Sequence, residues 1–190
     1  MRYMIVHLVK DEAKEYLWNL SRVLSSFYRL RPPVANIDPH LTLKSPFDAL
    51  STDLFDIERI LDRYARSNNP SSYTLNGFGA FDNRVIYMNV EAPDETKKLF
   101  QGLKDELKEI PWLDFKPHED TTTLHSTICY PRIAEQSTIL LEKLTKRGGK
   151  TFDCTVDSIA LMKKGERRWE LYKEYKLGND GVEPLTFTEV

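Results

Sequence analysis

The chain has 190 residues, of which 41% are hydrophobic and 29% are charged, and its formal net charge is −2. This length suits one domain or two small lobes that share a core, and this much apolar surface excludes an intrinsically disordered chain. A net charge this close to zero gives no sign of a bulk electrostatic partner such as nucleic acid or a membrane.

The two cysteines and the N-terminus indicate the compartment. Cys129 and Cys154 lie far apart and form no CxxC motif, so we expect free thiols in a reducing environment. The N-terminal apolar run is too short and too soon charged for a signal peptide, and no run reaches the length of a membrane span. The sequence therefore predicts a cytoplasmic protein.

Apolar residues change their spacing several times along the first half of the chain. They run together or alternate where a strand is expected, and they recur every three or four residues where a helix is expected. The prolines at 32 and 33 end the first helix, because proline cannot continue one. In chain order, the patterns predict strand 2–9, helix 11–30, strand 39–47, helix 53–66 and the two strands 73–81 and 84–90.

The second half follows a similar course, with a loose tail at residues 179–190. In chain order, the patterns predict helix 93–110, an irregular segment 111–120, strand 121–130, helix 133–147 and a final strand pair 151–162 and 167–177. A strand, a helix and a strand pair thus occur twice, about 85 residues apart. We therefore predict an α+β fold in which residues 1–178 form one bilobal domain with approximate two-fold symmetry.

Each half of this repeat carries a histidine two residues before a threonine. The first copy is HLTL, with His40 and Thr42, and the second is HSTI, with His125 and Thr127. Alternate side chains of a strand face the same way, so each histidine shares a face with its threonine. If the two strands lie centrally in their lobes, the groove between the lobes receives two imidazoles and two hydroxyls.

This set of side chains suits an in-line displacement at phosphorus. Histidine titrates near neutral pH, so one imidazole can remove a proton while the other delivers one, without a metal or cofactor. Threonine hydroxyls can donate hydrogen bonds to the non-bridging phosphate oxygens as charge shifts onto them. The paired motif therefore favours metal-independent chemistry on a phosphodiester.

Four stretches, PHLTLKSPF, NRVIYMNVEAP, LHSTICY and RRWELYKEYKLG, resemble the 2H phosphoesterase superfamily, also called LigT-like or 2'-5' RNA ligase-like. The resemblance is greatest to its bacterial YjcG-like branch and covers residues 2–178. It implies a bilobal fold whose sheets line a central groove, with cyclic phosphates or 2'-5' linkages of RNA ends or small nucleotides as substrates. It also implies that His40 and His125 are the catalytic pair and that Thr42 and Thr127 bind phosphate.

The second motif departs from the family pattern, which often reads Pro-His-x-Thr. Here a proline precedes His118, but Asp120 occupies the threonine position, whereas His125 keeps the threonine and lacks the proline. We favour His125 because only it has the hydroxyl and the strand-like flank that the mechanism needs.

Further candidates for substrate binding are Lys44 and three aromatic residues, Tyr130, Trp169 and Tyr172. The lysine and the basic stretch 163–168 could attract a polyanion, and the aromatic rings could stack on a base, but a solvated hairpin tip and sheet packing account for the same residues.

Three functions remain open from the sequence. The favoured one is a 2H phosphoesterase that could also run in reverse as an RNA ligase, acting as a monomer on a small nucleotide or RNA end. The second is a nucleotide-binding module with the same fold and little turnover. The third is a metal-dependent hydrolase that uses His118, Glu119 and Asp120, although adjacent loop residues are poor ligands for a tetrahedral site.

Overall fold

The computed structural model describes residues 1–30, 32–82, 84–120 and 123–178, except the side chains of His118 and Asp120. The predicted tail at 179–190 lies outside this part. The helices are α1 (Asp11–Phe27), α2 (Leu54–Ser67), α3 (Asp94–Lys108) and α4 (Ala134–Arg147). The strands are β1 (Arg2–Leu8), β2 (His40–Asp48), β3 (Ser71–Phe81), β4 (Val85–Glu91), β5 (His125–Cys129), β6 (Phe152–Val156), β7 (Ser158–Lys164) and β8 (Trp169–Lys176).

These strands form two antiparallel sheets of four strands each. The first sheet has the order β2-β1-β7-β8 and the second has the order β5-β4-β3-β6. The two orders correspond strand by strand. The strands that carry the His-x-Thr motifs, β2 and β5 (the HxT strands), therefore occupy equivalent places. The prediction of a two-lobed α+β fold with pseudo-two-fold symmetry is confirmed.

Both HxT strands lie at the edge of their sheets, not at the centre as the sequence interpretation assumed, and they contact each other. The two sheets therefore meet along β2 and β5, and a groove runs where the edges join. This arrangement brings the two motifs together although about 85 residues separate them in the chain.

The register of β1 and β2 decides which side chains face the groove. Leu8 is opposite His40 and Val6 is opposite Thr42, and directly opposed residues of a pair share one face of the sheet. That face carries a small apolar cluster made of Met4, Val6, Ile37, Ala160 and Met162, with Leu8 and Trp169 packed against it.

The opposite face of the first sheet packs into the main core. Ile5, Leu41 and Leu161 are fully buried there, and the core also contains buried residues of the second sheet such as Leu75 and Met88. Burying a side chain of this size contributes about 1.5–3 kcal/mol, so one core shared by both sheets holds the lobes in a fixed relation.

Two predicted boundaries are wrong. The single strand expected over 151–162 is two strands, because the chain leaves the second sheet after β6 and enters the first sheet with β7. Asp157 lies at this crossing and accepts hydrogen bonds from Lys10 at 2.8 and 3.0 Å. The strand expected over 121–130 begins at His125, and residues 121 and 122 lie outside the described part.

Across the described ranges, the structure contains no helix with both the length and the apolar character needed to span a membrane.

Candidate active site

His40 and His125 are held in the same way at the start of their strands. Nδ1 of His40 donates to the carbonyl oxygen of Asp38 at 2.8 Å, and Nδ1 of His125 donates to the carbonyl oxygen of Thr123 at 3.1 Å. A carbonyl oxygen can only accept, so Nδ1 carries the hydrogen in both rings. Each Nε2 is thereby left as the proton-accepting nitrogen of its imidazole.

The two imidazoles are close enough to affect each other. Burial lowers the pKa of His40, and the charge of His125 lowers it further, against the raising effect of the hydrogen bond to Asp38. Burial also lowers the pKa of His125, against the raising effect of its hydrogen bond to Thr123. Both rings are therefore mainly neutral at pH 7, and a proton taken by one ring disfavours protonation of the other.

A cavity of about 170 Å³ lies between the two HxT strands. It carries hydroxyl groups and charged groups beside the imidazole of His125, whereas His40 and Thr127 do not line it. Its lining residues are Leu41, Thr42, Leu43, Ser45, Lys104, Glu119, Thr123, Leu124 and His125.

Thr127 lies in β5, and Tyr130 directly follows the end of that strand. Burial raises the pKa of the Tyr130 phenol, and a hydrogen bond with the Thr127 side chain opposes that rise. The residue as a whole is 51% exposed, so its ring remains accessible from solvent. The structure thus places His125 at the start of β5, Thr127 in its middle and Tyr130 just beyond its end.

Two aromatic rings that the sequence interpretation did not assign to the site surround His125. The Phe81 ring meets the imidazole edge-on with centroids 4.8 Å apart, and the Tyr87 ring lies 5.2 Å from it. Phe81 and Tyr87 also stack on each other at 4.3 Å. The signal that could have found them is Gly79, which stands opposite Tyr87 and leaves room for its ring.

Lys44 does not face the groove, contrary to the sequence prediction. Strict alternation would place it with His40 and Thr42, but the pairing shifts between Ile5 and Val6, so β2 has a bulge at Leu43. The bulge turns Lys44 to the other face, where it is 1% exposed and its Nζ lies 3.0 and 3.1 Å from the carboxylate oxygens of Glu119. Lys44 is therefore a buried, paired cation.

Tyr172 also lies away from the histidines. Its hydroxyl donates to Glu58 of α2 at 3.3 Å, and its ring meets Tyr3 edge-on at 5.7 Å. Tyr3 and α2 belong to the core side of the first sheet, which is opposite to the face that carries His40. The prediction that Tyr172 binds substrate therefore has no support in this geometry.

Trp169, in contrast, lies on the face that carries His40. Its half-buried ring packs against the small apolar cluster of that face, and the Lys164 ammonium lies 5.7 Å from the ring centre. The structure thus places a flat apolar surface on the first sheet, with one side of the ring still reached by solvent.

The basic stretch 163–168 is docked rather than fully solvated. Arg168 donates to a carboxylate oxygen of Asp38 at 2.8 Å, and the backbone N–H of Trp169 donates to the carbonyl of Asn36 at 2.7 Å. Asp38 also pairs with Lys14 at 2.9 Å. Asp38 thus binds His40 through its carbonyl and Arg168 through its carboxylate, a role that sequence reasoning missed.

The carboxylate of Asp38 stays ionised in this setting. Burial would raise its pKa, but the hydrogen bonds and charges of Lys14 and Arg168 outweigh burial and hold the pKa below its usual value. The ion pair between Arg168 and Asp38 therefore holds the stretch 163–168 close to His40.

No group of three or more histidine, cysteine or acidic side chains that could hold a metal ion occurs within the part of the chain that the structure describes. The side chains of His118 and Asp120 are outside that part, and Glu119 already binds Lys44.

Comparisons with known proteins identify the family and the fold. The family model of the 2'-5' RNA ligase superfamily matches residues 18–168. A Bacillus pumilus protein named "Putative phosphoesterase" is 30% identical over 164 residues, which cover 83% of this chain and 91% of that protein. A similarly named Bacillus cytotoxicus protein is 26% identical over 157 residues, which cover 79% and 85%.

Solved structures share the fold at lower identity. Escherichia coli LigT complexed with 3'-AMP has a TM-score of 0.63 at 16% identity and covers 93% of this chain and 97% of its own. A Thermus thermophilus protein has a TM-score of 0.62 at 21% identity and covers 94% and 100%.

The bilobal fold and its paired sheets define the protein as LigT-like. The chain belongs to the 2'-5' RNA ligase superfamily, as the resemblance of its motifs predicted. Assignment to the YjcG-like branch stays a prediction.

Proposed function

We propose that the protein is a metal-independent 2H phosphoesterase that acts on 2',3'-cyclic phosphate ends of RNA or on related small nucleotide phosphodiesters, including 2'-5' linkages. The observation that carries this proposal is the matched presentation of the two imidazoles, each bound through Nδ1 to a carbonyl two residues upstream. The names of the Bacillus relatives and the 3'-AMP complex of LigT support the choice of substrate class.

In the proposed reaction, Nε2 of one neutral histidine accepts a proton from water as the water oxygen attacks phosphorus. The other histidine, protonated at Nε2, gives its proton to the ribose oxygen as the bond between that oxygen and phosphorus breaks. One water is consumed, one P–O bond forms and one breaks. If the 5'-hydroxyl of a second RNA end takes the place of water, its oxygen attacks phosphorus, its proton goes to the accepting histidine, and the ribose oxygen leaves with the proton of the other histidine. The same two imidazoles would then join two RNA ends without ATP.

The electrostatic effect of each imidazole on the protonation of the other suits their roles as base and acid. Protonation of either ring disfavours protonation of its neighbour, so the state with one neutral and one charged imidazole is populated over a range of pH. The hydroxyls of Thr42 and Thr127 would donate to the non-bridging oxygens of the phosphate.

The surroundings provide places for a nucleoside on both sides of the groove. Phe81 offers a ring next to His125, Tyr130 offers one beside Thr127 just beyond β5, and Trp169 offers one on the sheet that carries His40. Arg168 and its neighbours would add positive potential for a polyanionic substrate. As part of the same proposal, the protein is a monomer in the cytoplasm.

The test is hydrolysis of an oligonucleotide with a 2',3'-cyclic phosphate end, in excess EDTA, from about pH 5 to pH 9. We expect turnover with a bell-shaped pH profile that falls at least about 100-fold in His40→Ala and in His125→Ala. His118→Ala is the matched control and should retain activity.

Other outcomes would contradict parts of the proposal. Loss of activity in His118→Ala but not in His125→Ala would move the second motif to His118, and loss on chelation would favour the metal-dependent hydrolase. If the wild type binds the cyclic phosphate without turnover, the protein is a nucleotide-binding module of the same fold.

A further inference from the structure

The ion pair between Lys44 and Glu119 is almost completely buried, with side-chain exposures of 2% and 3%. Besides Nζ of Lys44, the Glu119 carboxylate accepts the backbone N–H groups of Ser45 at 2.7 Å and Lys116 at 2.8 Å. Burial raises the pKa of Glu119, but the bonds from Lys116, Lys44 and Ser45 outweigh burial and keep it below its usual value. The pair is therefore charged on both sides.

This pair joins the segments that carry the two histidines. Lys44 follows Thr42 by two residues on β2, in the first sheet. Glu119 lies in the short helical turn Pro117–Asp120, which leads into β5 and His125 in the second sheet. Lys104 of α3 donates to the backbone carbonyl of Glu119 at 2.7 Å, so the turn is also fastened to the second lobe.

The pair also borders the cavity of the proposed site. Glu119 and Ser45 line it together with Thr42 and His125, so a change in the position of the turn would alter the space beside the imidazole. The Lys44 ammonium lies 4.6 Å from the ring centre of Phe115, which closes the site of the pair against water.

Stability alone does not explain a buried pair of this kind. Removing two charges from water costs several kcal/mol, and apolar side chains of similar volume often stabilise a fold equally well. A hydrogen-bonded ion pair differs from an apolar contact because its two partners must meet at fixed distances and angles. The pair is thus suited to fixing a geometry.

We infer that Lys44 and Glu119 are positioning residues that set the separation of His40 and His125 by fastening the turn Pro117–Asp120 to β2. This inference rests on the proposed function for its catalytic readout, whereas its structural readout is independent of any activity.

The test compares the wild type with Lys44→Met/Glu119→Met, in which apolar side chains replace both charges. We expect the double variant to remain folded but to unfold at a lower temperature than the wild type, because methionine leaves the backbone N–H groups of Ser45 and Lys116 without their acceptor. Its kcat should fall about 100-fold, because a displacement of about 1 Å at reacting groups has that effect, while KM changes by less than about threefold.

The independent readout is the titration of His40 by NMR in the absence of substrate. In the wild-type background, His125→Ala should raise the pKa of His40, because it removes a neighbouring charge. In the Lys44→Met/Glu119→Met background the same change should have a smaller effect, because the two rings are no longer held together.

The matched control is Arg63→Met/Glu106→Met, which removes an exposed ion pair of 2.7 Å between α2 and α3. Neither the kcat nor the coupling of the histidines should change in it. If Lys44→Met/Glu119→Met does not fold, Glu119→Gln serves instead. Glutamine keeps the shape, and its single Oε1 can accept from either Ser45 or Lys116, but the charge and the second backbone hydrogen bond are lost. We expect Glu119→Gln to reduce both readouts to values between those of the wild type and of a chain without the pair.

Unchanged kcat and unchanged coupling of the histidines, in a variant that folds, would overturn the inference and leave the pair with a structural role only. If the wild type hydrolyses no phosphodiester, the proposed function fails, but the NMR titrations still decide whether the pair positions the histidines.

Discussion

One hydrogen bond at each histidine decides which nitrogen faces the groove. The carbonyl oxygens of Asp38 and Thr123 fix the hydrogen on Nδ1, and this choice leaves Nε2 for chemistry in both rings. The backbone, rather than a third side chain, therefore orients the imidazoles. A backbone oxygen cannot be lost by substitution, so the orientation depends on strand geometry alone.

This arrangement predicts the behaviour of asparagine variants. In His40→Asn and His125→Asn, the amide nitrogen can take the place of Nδ1 and keep the bond to the carbonyl, but nothing replaces Nε2. Each variant should lose about 10²–10⁴-fold in kcat, the usual contribution of one proton-transfer group, and remain folded. Steady-state kinetics and thermal unfolding, measured side by side, check this. Activity within about tenfold of the wild type would show that the imidazole is not a proton-transfer group.

The elements show where sequence patterns succeed and where they stop. Alternation along a strand correctly placed His40 with Thr42, because both lie before the bulge of β2. Alternation does not hold at Lys44, because the extra residue at Leu43 turns Lys44 to the core side and no glycine or proline stands at that position. The pairing shifts again between Tyr3 and Ile5, so Phe47 also lies on the core side. The crossing at Asp157 was missed for a similar reason: apolar and β-branched residues continue on both sides of it.

The aromatic residues around His125 could not be found by periodicity either. The main core and the groove face both use aromatic residues, so only the pairing of β3 with β4 shows which rings meet the imidazole. Substrate binding by Tyr130 and Trp169 stays a prediction.

The β3–β4 pair gives a prediction through Gly79. A Cβ atom at this position would lie 2.7 Å from the ring of Tyr87, which is wedged between Phe81 and His125. Gly79→Ala should therefore destabilise the fold by about 1–3 kcal/mol and lower kcat, because the ring must shift towards His125. Urea unfolding in the Tyr87→Ala background is the control, where the same substitution should cost far less. An equal loss in both backgrounds would contradict the contact as its cause.

At the scale of the whole molecule, histidines couple stability to pH. Burial lowers the pKa of His7, His40 and His125, and His7 is fully buried between the carbonyl of Ser158 and the hydroxyl of Tyr73. A lowered pKa in the folded state means that the unfolded chain binds more protons at mildly acid pH. These groups therefore favour the folded state fully above about pH 6.5, and the contribution is lost as pH falls through their folded-state pKa values.

We thus expect the free energy of unfolding to fall between about pH 6.5 and pH 5, before most carboxylates titrate. Asp38 and Glu119, whose pKa values are held below their usual range, add a further loss only at more acid pH. Urea denaturation at a series of pH values checks the first step. His7→Asn should reduce its slope, and a slope of zero in the wild type across this range would contradict the buried neutral state of the histidines.

The order of strands along the chain has a consequence for synthesis on the ribosome. The first sheet begins with β1 and β2 but is completed only by β7 and β8, the last two strands in the part of the chain that the structure describes. A nascent chain that has emerged as far as β6 already holds both HxT strands and the whole second sheet, yet it exposes an unpaired edge of β1. The groove between the sheets therefore reaches its final form only after synthesis of the last strands, and until then β1 is the edge most open to wrong pairing.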